Sequence, residues 1–498
     1  MMQEFHFEDT GDHPPSSMES TIYKLRLHLD SITTFLNPLL PLANCHMVEF
    51  FTQNHWDLLI PTGLRDSMSS WDFKTTVEKF WNIAEDMNNK DNTKLGDWIN
   101  KARSHCITVN NDYCITAEQL QDRIKNLGGE VKPEIKVKQF MSGKKSYEVQ
   151  TMSRLVASLY GASSATCCVE AGGGRGHLPV ALTLGYGVPS LTIDCDVRTL
   201  HAATQRIKII QKQWHAIAKR VKDGHEERVS ESIDKNLHRF ASAFVTRDTD
   251  LKTLVNEKFP EFTSSETKLL LTGLHTCGNL GPDSLRIFTS QGSISAVFNV
   301  PCCYHLLTEH VDAGLFDVFQ RDYAPEHDTG QGFPMSEHLR NYNLGRNARM
   351  LAAQSIDRVV YQRQLPSKSL LYRALLEVLI KKHLPDVFIA DGKLKRITPN
   401  KYNDFREYFK MADSILKLKL YDILPECHLS DIEKKLDSQW EKIVLFYLLR
   451  LCLAQVIESV ILLDRLLYLY ENGFKNVFLV KLFDPILSPR CHSIVAMR

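Results

Sequence analysis

The stretch Val169–Leu178, VEAGGGRGHL, places one acid and four glycines within seven consecutive positions. The preceding residues, ATCCV, are small and β-prone, and the following residues, HLPVALTLGYG, carry an apolar face at helical spacing. The glycines therefore lie where a strand turns into a helix. Because glycine has no side chain, the backbone at such a turn can approach a ligand closely.

Strands and helices alternate from this turn toward the C-terminus. Helical segments separate the strands, the longest of them at residues 197–221, which is typical of βαβ units and a mostly parallel sheet. The predicted strands are Thr166–Glu170, Ser190–Asp194, Phe240–Thr246, Lys268–Leu274 and Ser293–Val300.

A β-hairpin is predicted at the end of the chain. Residues 476–483 and 491–497 are apolar and β-rich, and a proline-containing turn at 484–490 joins them. Five alternating β/α steps closed by such a hairpin resemble the layout of class I methyltransferases, in which the last strand runs antiparallel between strands five and six. The sequence therefore predicts an α/β, Rossmann-like sheet of this class with a terminal β-hairpin.

Composition divides the remaining chain into segments. The first residues carry acids where a signal peptide needs a basic and then an apolar stretch, which predicts a disordered leader. Apolar residues at spacings of three and four then predict an N-terminal helical region. The predicted segments are a leader at 1–20, a helical region at 21–128, core strands one to five at 129–304, a mostly helical insertion at 305–440, and a C-terminal helix with the hairpin at 441–498.

Charge and cysteine usage restrict the partners and the compartment. The 60 basic and 59 acidic residues give a net charge of +1, which argues against nucleic-acid binding by bulk charge but leaves a local basic groove open. The twelve cysteines lack C-x-x-C spacing, which favours free thiols in the cytoplasm or the nucleus. Charges interrupt the apolar residues 443–470, so a buried helix and no membrane partner are predicted.

Two phosphate-binding motifs fail at named positions. A G-x-G-x-x-G fingerprint that begins at Gly172 meets His177 where its last glycine belongs. In KQFMSGKKS, Lys138 stands where a P-loop needs glycine, and Lys145 stands where it needs Ser or Thr. The glycine loop is therefore not expected to bind phosphate.

The motif that is present is E-x-G-x-G-x-G, formed by Glu170, Gly172, Gly174 and Gly176. It resembles the S-adenosylmethionine loop of class I methyltransferases. A carboxylate at the position of Glu170 suits the charged amine of that ligand, and an acid that ends strand two accepts hydrogen bonds from both ribose hydroxyls. Asp194 stands at that strand end, so these five residues are the predicted cofactor contacts.

Further acids are weaker candidates for the same ligand. Asp196 is a reserve for the ribose because it follows Asp194 by two residues. Just after strand three, Asp248 is the predicted contact to the adenine, with Asp250 as its alternative.

Several phrases beyond the loop are similar to one family, the methyltransferases grouped as methyltransferase-like protein twenty-five and its ribosomal-RNA-adenine-dimethylase-domain relative. They follow the family's order between residues 144 and 490 and imply a cytosolic or nuclear S-adenosylmethionine enzyme of unsettled substrate. The phrases are KKSYEV, EAGGGRGHL, GLHTCGNL, PCCYHLL, GFPMSEHLR, GRNARMLAAQS, LLYRALLEV, LLDRLLYLYE and FDPILSPR.

Two of these boxes, GLHTCGNL and PCCYH, are also similar to boxes in the transfer-RNA 2′-O-methyltransferases that modify the acceptor stem. There the second box carries two histidines after its cysteines, whereas here Tyr304 precedes the single His305. The similarity implies an RNA acceptor, and the departure counts against a direct transfer of substrate.

The ends of strands four and five supply the predicted catalytic side chains, because neighbouring carboxyl ends line one crevice in such sheets. Base N-methyltransferases carry [DN]-P-P-[YFW] after strand four, and HTCG stands there instead. His275 is the preferred general base, against the alternative that it only orders its loop. Asn299 and Tyr304 are the other candidates, because NVPCCY resembles that motif loosely and one strand later.

No metal is predicted, although one alternative is left open. His275-x-Cys277 and Cys302-Cys303-x-His305 offer two nitrogens and two thiolates, a set that suits zinc. The usual short cysteine spacing is missing and adjacent cysteines rarely share an ion, so packed thiols are the competing interpretation.

The acceptor is left open between RNA and a protein side chain, and a non-catalytic scaffold is the third alternative. The two boxes and a set of basic residues favour RNA, while the neutral net charge counts against it. The oligomeric state is not predicted. The basic set is Lys132, Lys136, Lys138, Lys144, Lys145, Arg340, Arg346 and Arg349.

Overall fold

The computed structural model describes residues 17–86, 88, 91–110, 112–135, 141–222, 237–262, 266–309, 331–387 and 392–498. Most of the predicted leader therefore lies outside the described residues. Its last four residues do not belong to a leader, because helix α1 already begins at Ser17.

An eight-stranded sheet organises the described chain. It has the order β1-β7-β8-β6-β5-β2-β3-β4. Strand β8 runs antiparallel to both β6 and β7, and the other pairs are parallel. The strands are β1 (Cys114–Thr116), β2 (Cys167–Ala171), β3 (Ser190–Asp194), β4 (His238–Ser242), β5 (Leu269–Cys277), β6 (Ile294–Cys302), β7 (Asn476–Lys481) and β8 (His492–Met497).

The predicted fold class is confirmed. All seven predicted strands are present, and the last strand lies antiparallel between its two predicted neighbours. The strand order reverses between β2 and β5, which creates the crevice where open α/β sheets bind ligands.

One strand was not predicted. The N-terminal region, which reads as helical throughout, contributes β1 to the edge of the sheet, where Cys114 pairs with Leu479 and Ile115 pairs with Val480. Three residues are too few to show the alternation that marks a longer strand. The N-terminal region is consequently continuous with the sheet.

Eight helices of the described chain precede the glycine strand β2, and four more lie between the strands from β2 to β6. Their ends follow local capping chemistry: Thr116 and Gln119 form a capping box at α7, and Ser142 caps α8. They are α1 (Ser17–Leu36), α2 (Leu40–Asn44), α3 (His55–Leu59), α4 (Thr62–Ser69), α5 (Phe73–Glu85), α6 (Lys94–Ser104), α7 (Ala117–Asn126), α8 (Gly143–Ala162), α9 (His177–Tyr186), α10 (Val197–Lys222), α11 (Leu251–Lys258) and α12 (Leu280–Ser290).

The region after β6 is mostly helical where it is described, and its last two helices belong to the core. Helix α20 packs against α1. The two helices together contain an 18-residue window apolar enough to cross a membrane, but 83% of it is buried inside the protein, as in a core helix. These helices are α13 (Arg346–Leu351), α14 (Ile356–Tyr361), α15 (Ser369–His383), α16 (Phe405–Leu416), α17 (Leu420–Ile423), α18 (Glu426–Glu433), α19 (Leu436–Leu451) and α20 (Ala454–Glu471).

Side chains alternate between two cores on the two faces of the sheet. Cys167 and Val169 of β2 enter the larger core, and Cys168 between them enters the smaller one. The larger core runs from Leu25 in α1 to Ala496 in β8. The N-terminal helices, the sheet and the C-terminal helices therefore share one hydrophobic interior.

A buried ion pair fixes the chain after β6. Glu309 is fully buried, and one of its carboxylate oxygens accepts hydrogen bonds from Gly345 N at 3.0 Å and from Arg349 Nε at 3.1 Å. Arg349 also donates to the carbonyl oxygens of Tyr304, at 2.9 Å, and Leu307, at 2.6 Å. The pair holds the residues that follow β6 against α13.

We predict that Arg349→Leu lowers the free energy of unfolding by about 3–5 kcal/mol, because it leaves the Glu309 carboxylate buried without its counter-charge. Urea denaturation measures the change. The matched control is Arg340→Leu, which removes an exposed pair with Glu337 and should have little effect. Equal stabilities of the two variants would contradict the structural role of the pair.

Candidate active site

The glycine turn begins where β2 ends at Ala171. Gly172, Gly174 and Gly176 have φ angles of +67°, +51° and +61°, a left-handed backbone that side chains rarely adopt. Gly172 N donates to Ile193 O at 2.9 Å, which holds the turn against β3. The spacing of these three glycines thus reflects left-handed backbone at every second residue of the loop.

Asp194 ends β3 and faces the turn. Its Oδ2 accepts a hydrogen bond from Gly174 N at 2.9 Å, and its Oδ1 accepts one from Asp196 N at 2.9 Å. Each carboxylate oxygen has two lone pairs, so each retains capacity for another donor. The carboxylate is therefore fixed in place and still able to accept two hydroxyl hydrogen bonds.

A cavity of about 300 Å³ opens at the crevice between β2 and β5. Gly172 and Asp194 form one wall, residues 243–245 after β4 form a second, and residues 277–280 after β5 form a third. Its volume is at the lower end of the range for small-molecule sites, about 300–1,000 Å³. The cavity brings the predicted glycine loop and the predicted ribose acid to one place.

Glu170 lies beneath the loop rather than on the cavity wall. It is 3% exposed, and its Oε2 atom has no hydrogen-bond partner within the described residues. Burial raises the pKa of its carboxyl to about 8. The unpartnered oxygen leaves Glu170 able to accept a hydrogen bond, and its contact with the ammonium group of S-adenosylmethionine stays a prediction.

Three further acids are placed differently. Asp196 accepts hydrogen bonds from Arg198 N and Thr199 Oγ1 in the turn before α10, and it is not among the residues that line the cavity. Asp250 caps α11 through Thr253. Asp196 and Asp250 both stand just before a helix, where aspartate is a common capping residue.

The predicted adenine contact, Asp248, is not on the cavity wall. Asp248 pairs with Arg247 at 3.7 Å, its side chain is 84% exposed, and it is not among the residues that line the cavity. Ala243, Phe244 and Val245 form that wall instead. An apolar wall suits a purine ring by contact, which a search for acids could not detect.

Sequence reasoning also missed Asp283. It lies in the first turn of α12, lines the cavity and is 2% exposed. Burial raises the pKa of its carboxyl to about 6, and Arg286 Nη1 lies 3.2 Å away. Its position inside a helix gave no signal in the sequence.

His275 occupies a β-bulge at the end of β5. Leu274 pairs with Val300 and Thr276 pairs with Pro301, so His275 is the extra residue between them. Its φ of +71° is in the left-handed region. The bulge turns the imidazole toward α8 and not into the cavity, whose lining does not include it.

Glu148 of the KKSYEV phrase is the partner of this histidine and was missed as a site residue. His275 Nε2 lies 3.0 Å from Glu148 Oε2, while Lys145 Nζ lies 2.9 Å from the same oxygen and Ser488 Oγ donates to Oε1 at 2.7 Å. Burial raises the pKa of Glu148, but the hydrogen bonds from His275 and its other partners outweigh burial and lower it. The spacing of Lys144 and Lys145 to Glu148 reads as a solvated helix face, which concealed a fully buried carboxylate.

Asn299 and Tyr304, the other predicted catalytic residues, are both buried away from the cavity lining. Asn299 is 1% exposed, and its Oδ1 accepts from Thr276 Oγ1 at 2.9 Å, which supports the bulge. Tyr304 is 1% exposed, and its hydroxyl donates to Glu458 Oε1 at 2.8 Å. Both side chains belong to buried networks, and neither lines the cavity.

The sheet has the strand order of a class I methyltransferase, and the methyltransferase domain described next implies S-adenosylmethionine as the methyl donor. A family model described as a methyltransferase domain matches residues 144–310. The chain is 26% identical over 605 residues to "Probable methyltransferase-like protein 25" of Homo sapiens, covering 95% of this chain and 97% of that protein. The Mus musculus protein of the same name is 26% identical over 590 residues, with coverage of 94% and 96%.

No solved structure matches the chain. The comparisons confirm the predicted resemblance to methyltransferase-like protein 25. The similarity to transfer-RNA acceptor-stem enzymes stays a prediction.

We predict that Asp194→Ala reduces the affinity for S-adenosylmethionine by about 100-fold or more, because it removes two hydrogen bonds to a charged acceptor, each worth about 1.5–3 kcal/mol. Calorimetric titration measures the dissociation constant. Asp196→Ala is the matched control, since it removes a carboxylate two residues away that only caps the next turn. Comparable affinities of Asp194→Ala and the wild type would contradict the assignment.

We also predict a pH effect from Glu170. Its pKa rises from an ordinary 4.5 to about 8 in the folded protein, so between these values the folded state holds a proton that the unfolded state has lost. The free energy of unfolding should therefore fall as pH rises across this interval, by up to about 1.4 kcal/mol per unit.

Glu170→Gln cannot titrate and should show a flatter profile in denaturant unfolding. Parallel profiles of the two proteins would show that the Glu170 carboxyl does not carry its proton in the folded state.

Proposed function

We propose that the chain transfers the methyl group of S-adenosylmethionine to RNA. The observation that carries this proposal is a cluster of cations beside the glycine loop. Arg175 is exposed within the loop itself, and Arg206 of α10 donates through Nη1 to the ring of His177 at 2.9 Å. Phosphate groups are the natural counter-ions of such a cluster.

The charges of this cluster act on the buried imidazole of His177. Its pKa is lowered to about 3, by burial as the largest cause and then by the charges of Arg206, Lys145 and Arg175. Burial, and after it repulsion by Arg175, lowers the pKa of Arg206 to about 10. The loop that binds the methyl donor thus lies in a positive field.

Of the basic set predicted from the sequence, Lys145 contributes to this field, and several other described members are engaged elsewhere. Lys132 pairs with Glu130, Arg340 pairs with Glu337, and Arg349 is buried. Lys144 and Lys145 engage the buried carboxylate of α8. Lys136 and Lys138 lie outside the described residues.

The residues of the site act by positioning. S-adenosylmethionine supplies the methyl group on a positively charged sulfur, and the acceptor atom forms a bond to carbon as the sulfur–carbon bond breaks. Asp194 would hold the ribose, and Glu170 would hold the ammonium group. Positioning of this kind is worth about 7–11 kcal/mol of the barrier, so no strong base is required.

His275 is better placed as a positioning residue than as a general base. Its Nε2 is engaged by Glu148, and its ring contacts Cys302. The imidazole thereby fixes the bulge that leads into the cavity wall.

We propose the cytoplasm or the nucleus as the compartment, supported by twelve cysteines that are all free thiols.

A protein side chain is the second candidate acceptor, and a binding scaffold without catalysis is the third. The orphan carboxylate oxygen of Glu170 and the available lone pairs of Asp194 argue against a decayed site. Neither observation separates RNA from protein, so the experiment must do so.

Cell extract is incubated with the enzyme and radiolabelled S-adenosylmethionine, and the products are then digested with nuclease or protease. We predict that nuclease removes the label and protease does not. Arg175→Glu should reduce RNA labelling at least tenfold while the affinity for S-adenosylmethionine stays within about twofold, because phosphate contacts lie outside the donor cavity. The control is Lys434→Glu, which makes the same change of charge at an exposed residue just after α18.

Label that survives nuclease but not protease would overturn the RNA acceptor in favour of a protein. Labelling by a Glu170/Asp194 double variant equal to the wild type would overturn catalysis by this site altogether.

A further inference from the structure

Three thiols converge where β5 and β6 end. Cys277 Sγ lies 3.3 Å from Cys303 Sγ, which lies 3.5 Å from Cys302 Sγ, and all three sulfurs lie within 4.8 Å of one another. The parallel register produces this proximity, because Cys277 pairs directly with Cys302. Zinc–sulfur bonds of about 2.3 Å in a tetrahedron set sulfur atoms about 3.8 Å apart, close to the spacing observed.

The sulfur atoms of the adjacent Cys302 and Cys303 can lie on the same side because the backbone becomes left-handed at Cys303. Successive side chains of a strand face opposite sides, so Cys302 and Cys303 would diverge in a continued strand. Cys303 instead has a φ of +48°, which ends β6 and returns its sulfur to the side of Cys302. This geometry removes the objection that neighbouring cysteines rarely share an ion.

His275 completes the donor set. His275 has a φ of +71°, so it and Cys303 are two non-glycine residues with left-handed backbone beside the thiols. Such backbone persists only where the surroundings impose it, and it concentrates at binding sites. The ring contacts Cys302, and its Nε2 is hydrogen-bonded to the buried Glu148 carboxylate, which leaves Nδ1 as the ligand atom.

A carboxylate behind an imidazole is the usual outer-shell partner of a metal-bound histidine. Glu148 fits this role because it is fully buried and is itself fixed by Ser488 and Lys145. Packed thiols alone would not require a buried acid to orient a neighbouring ring. Neither His275 nor His305 belongs to the group of three thiols in the described chain, and His275 is the fourth candidate donor because its ring contacts Cys302.

We propose that Cys277, Cys302, Cys303 and His275 bind one zinc ion, as three thiolates and one imidazole nitrogen. Each thiol gives up its proton when the ion binds, so three protons are released to solvent. Four protein ligands close the coordination sphere, which is the pattern of structural zinc. The site is independent of which acceptor the enzyme methylates.

The ion would fasten a wall of the donor cavity. Cys277 lines that cavity together with Gly278 and Leu306, and a Cβ atom on Gly278 would lie 2.8 Å from Leu306 O. The loops after β5 and β6 are thus in close contact beside the thiols. Zinc linking them would hold the cavity in one shape.

The full-length protein, purified without chelator from zinc-supplemented cells, should contain about one zinc per chain by elemental mass spectrometry. Cys302→Ser and Cys303→Ser should each lower the zinc content at least tenfold. Cys427→Ser is the matched control, because Cys427 is exposed and lies outside the thiol group. It should keep the full content.

Glu148→Gln tests the outer shell, since it preserves shape and removes the charge. In competition with a chromophoric chelator, its zinc affinity should fall about 10–100-fold. Cobalt substitution of the wild type provides a readout that needs no variant: a tetrahedral site with three thiolates gives intense thiolate-to-cobalt charge-transfer bands.

Four results would overturn the proposal. They are a wild-type protein that is folded by circular dichroism but holds no stoichiometric zinc, zinc that persists undiminished in both cysteine variants, iron in place of zinc, and a Cys277–Cys303 disulfide in protein isolated under reducing conditions. The cobalt spectrum decides the matter should the cysteine variants fail to fold.

Discussion

The hydrogen bond from Gly174 N to Asp194 Oδ2, at 2.9 Å, is the contact on which the donor site depends. It ties the turn after β2 to the end of β3 and aims the carboxylate across the crevice. The glycine requirement differs along the loop. At Gly174 it is conformational, because a Cβ atom would have room at 3.8 Å from Asp194, whereas at Gly173 it is steric, because a Cβ atom would lie 2.3 Å from Glu170 Oε2.

The sheet could be predicted because its strands are long enough to show their pattern. Five parallel strands and the terminal hairpin could be predicted from the β/α alternation and from turn residues. Glu170 and Asp194 could be predicted because each stands at the end of a predicted strand. Strand β1 could not be predicted, since three residues carry no periodicity and its partner, β7, lies more than 300 residues away.

The side-chain directions at the catalytic end could not be predicted either. Strand order places His275 and Tyr304 near the crevice, but a bulge turns the first toward α8, and Tyr304 is held in the core by Glu458. The same limitation applies to Glu148, whose spacing from two lysines is that of an exposed ion pair. Such directions depend on tertiary packing, which local periodicity does not contain.

Buried charges explain why the segment after β6 is part of the body of the enzyme and not an appendage. Asp464 of α20 accepts hydrogen bonds from Met335 N at 2.7 Å and Ser336 N at 2.9 Å, and Glu458 of the same helix accepts from Tyr304 and from Arg490 at 3.4 Å. A buried carboxylate that loses its partners is costly, so each of these contacts constrains the next. Helix α20 is the element through which they meet.

The terminal hairpin has a second role that follows from this arrangement. Since β8 inserts between β6 and β7, the turn before it returns to α8, where Ser488 donates to Glu148 across 340 residues of sequence. Glu148 in turn orients His275 beside the cavity wall. A buried carboxylate that loses a partner is destabilised, so the geometry of the site depends on the closure of the sheet by the hairpin. The last residues of the chain are therefore as much a part of the site as the glycine turn.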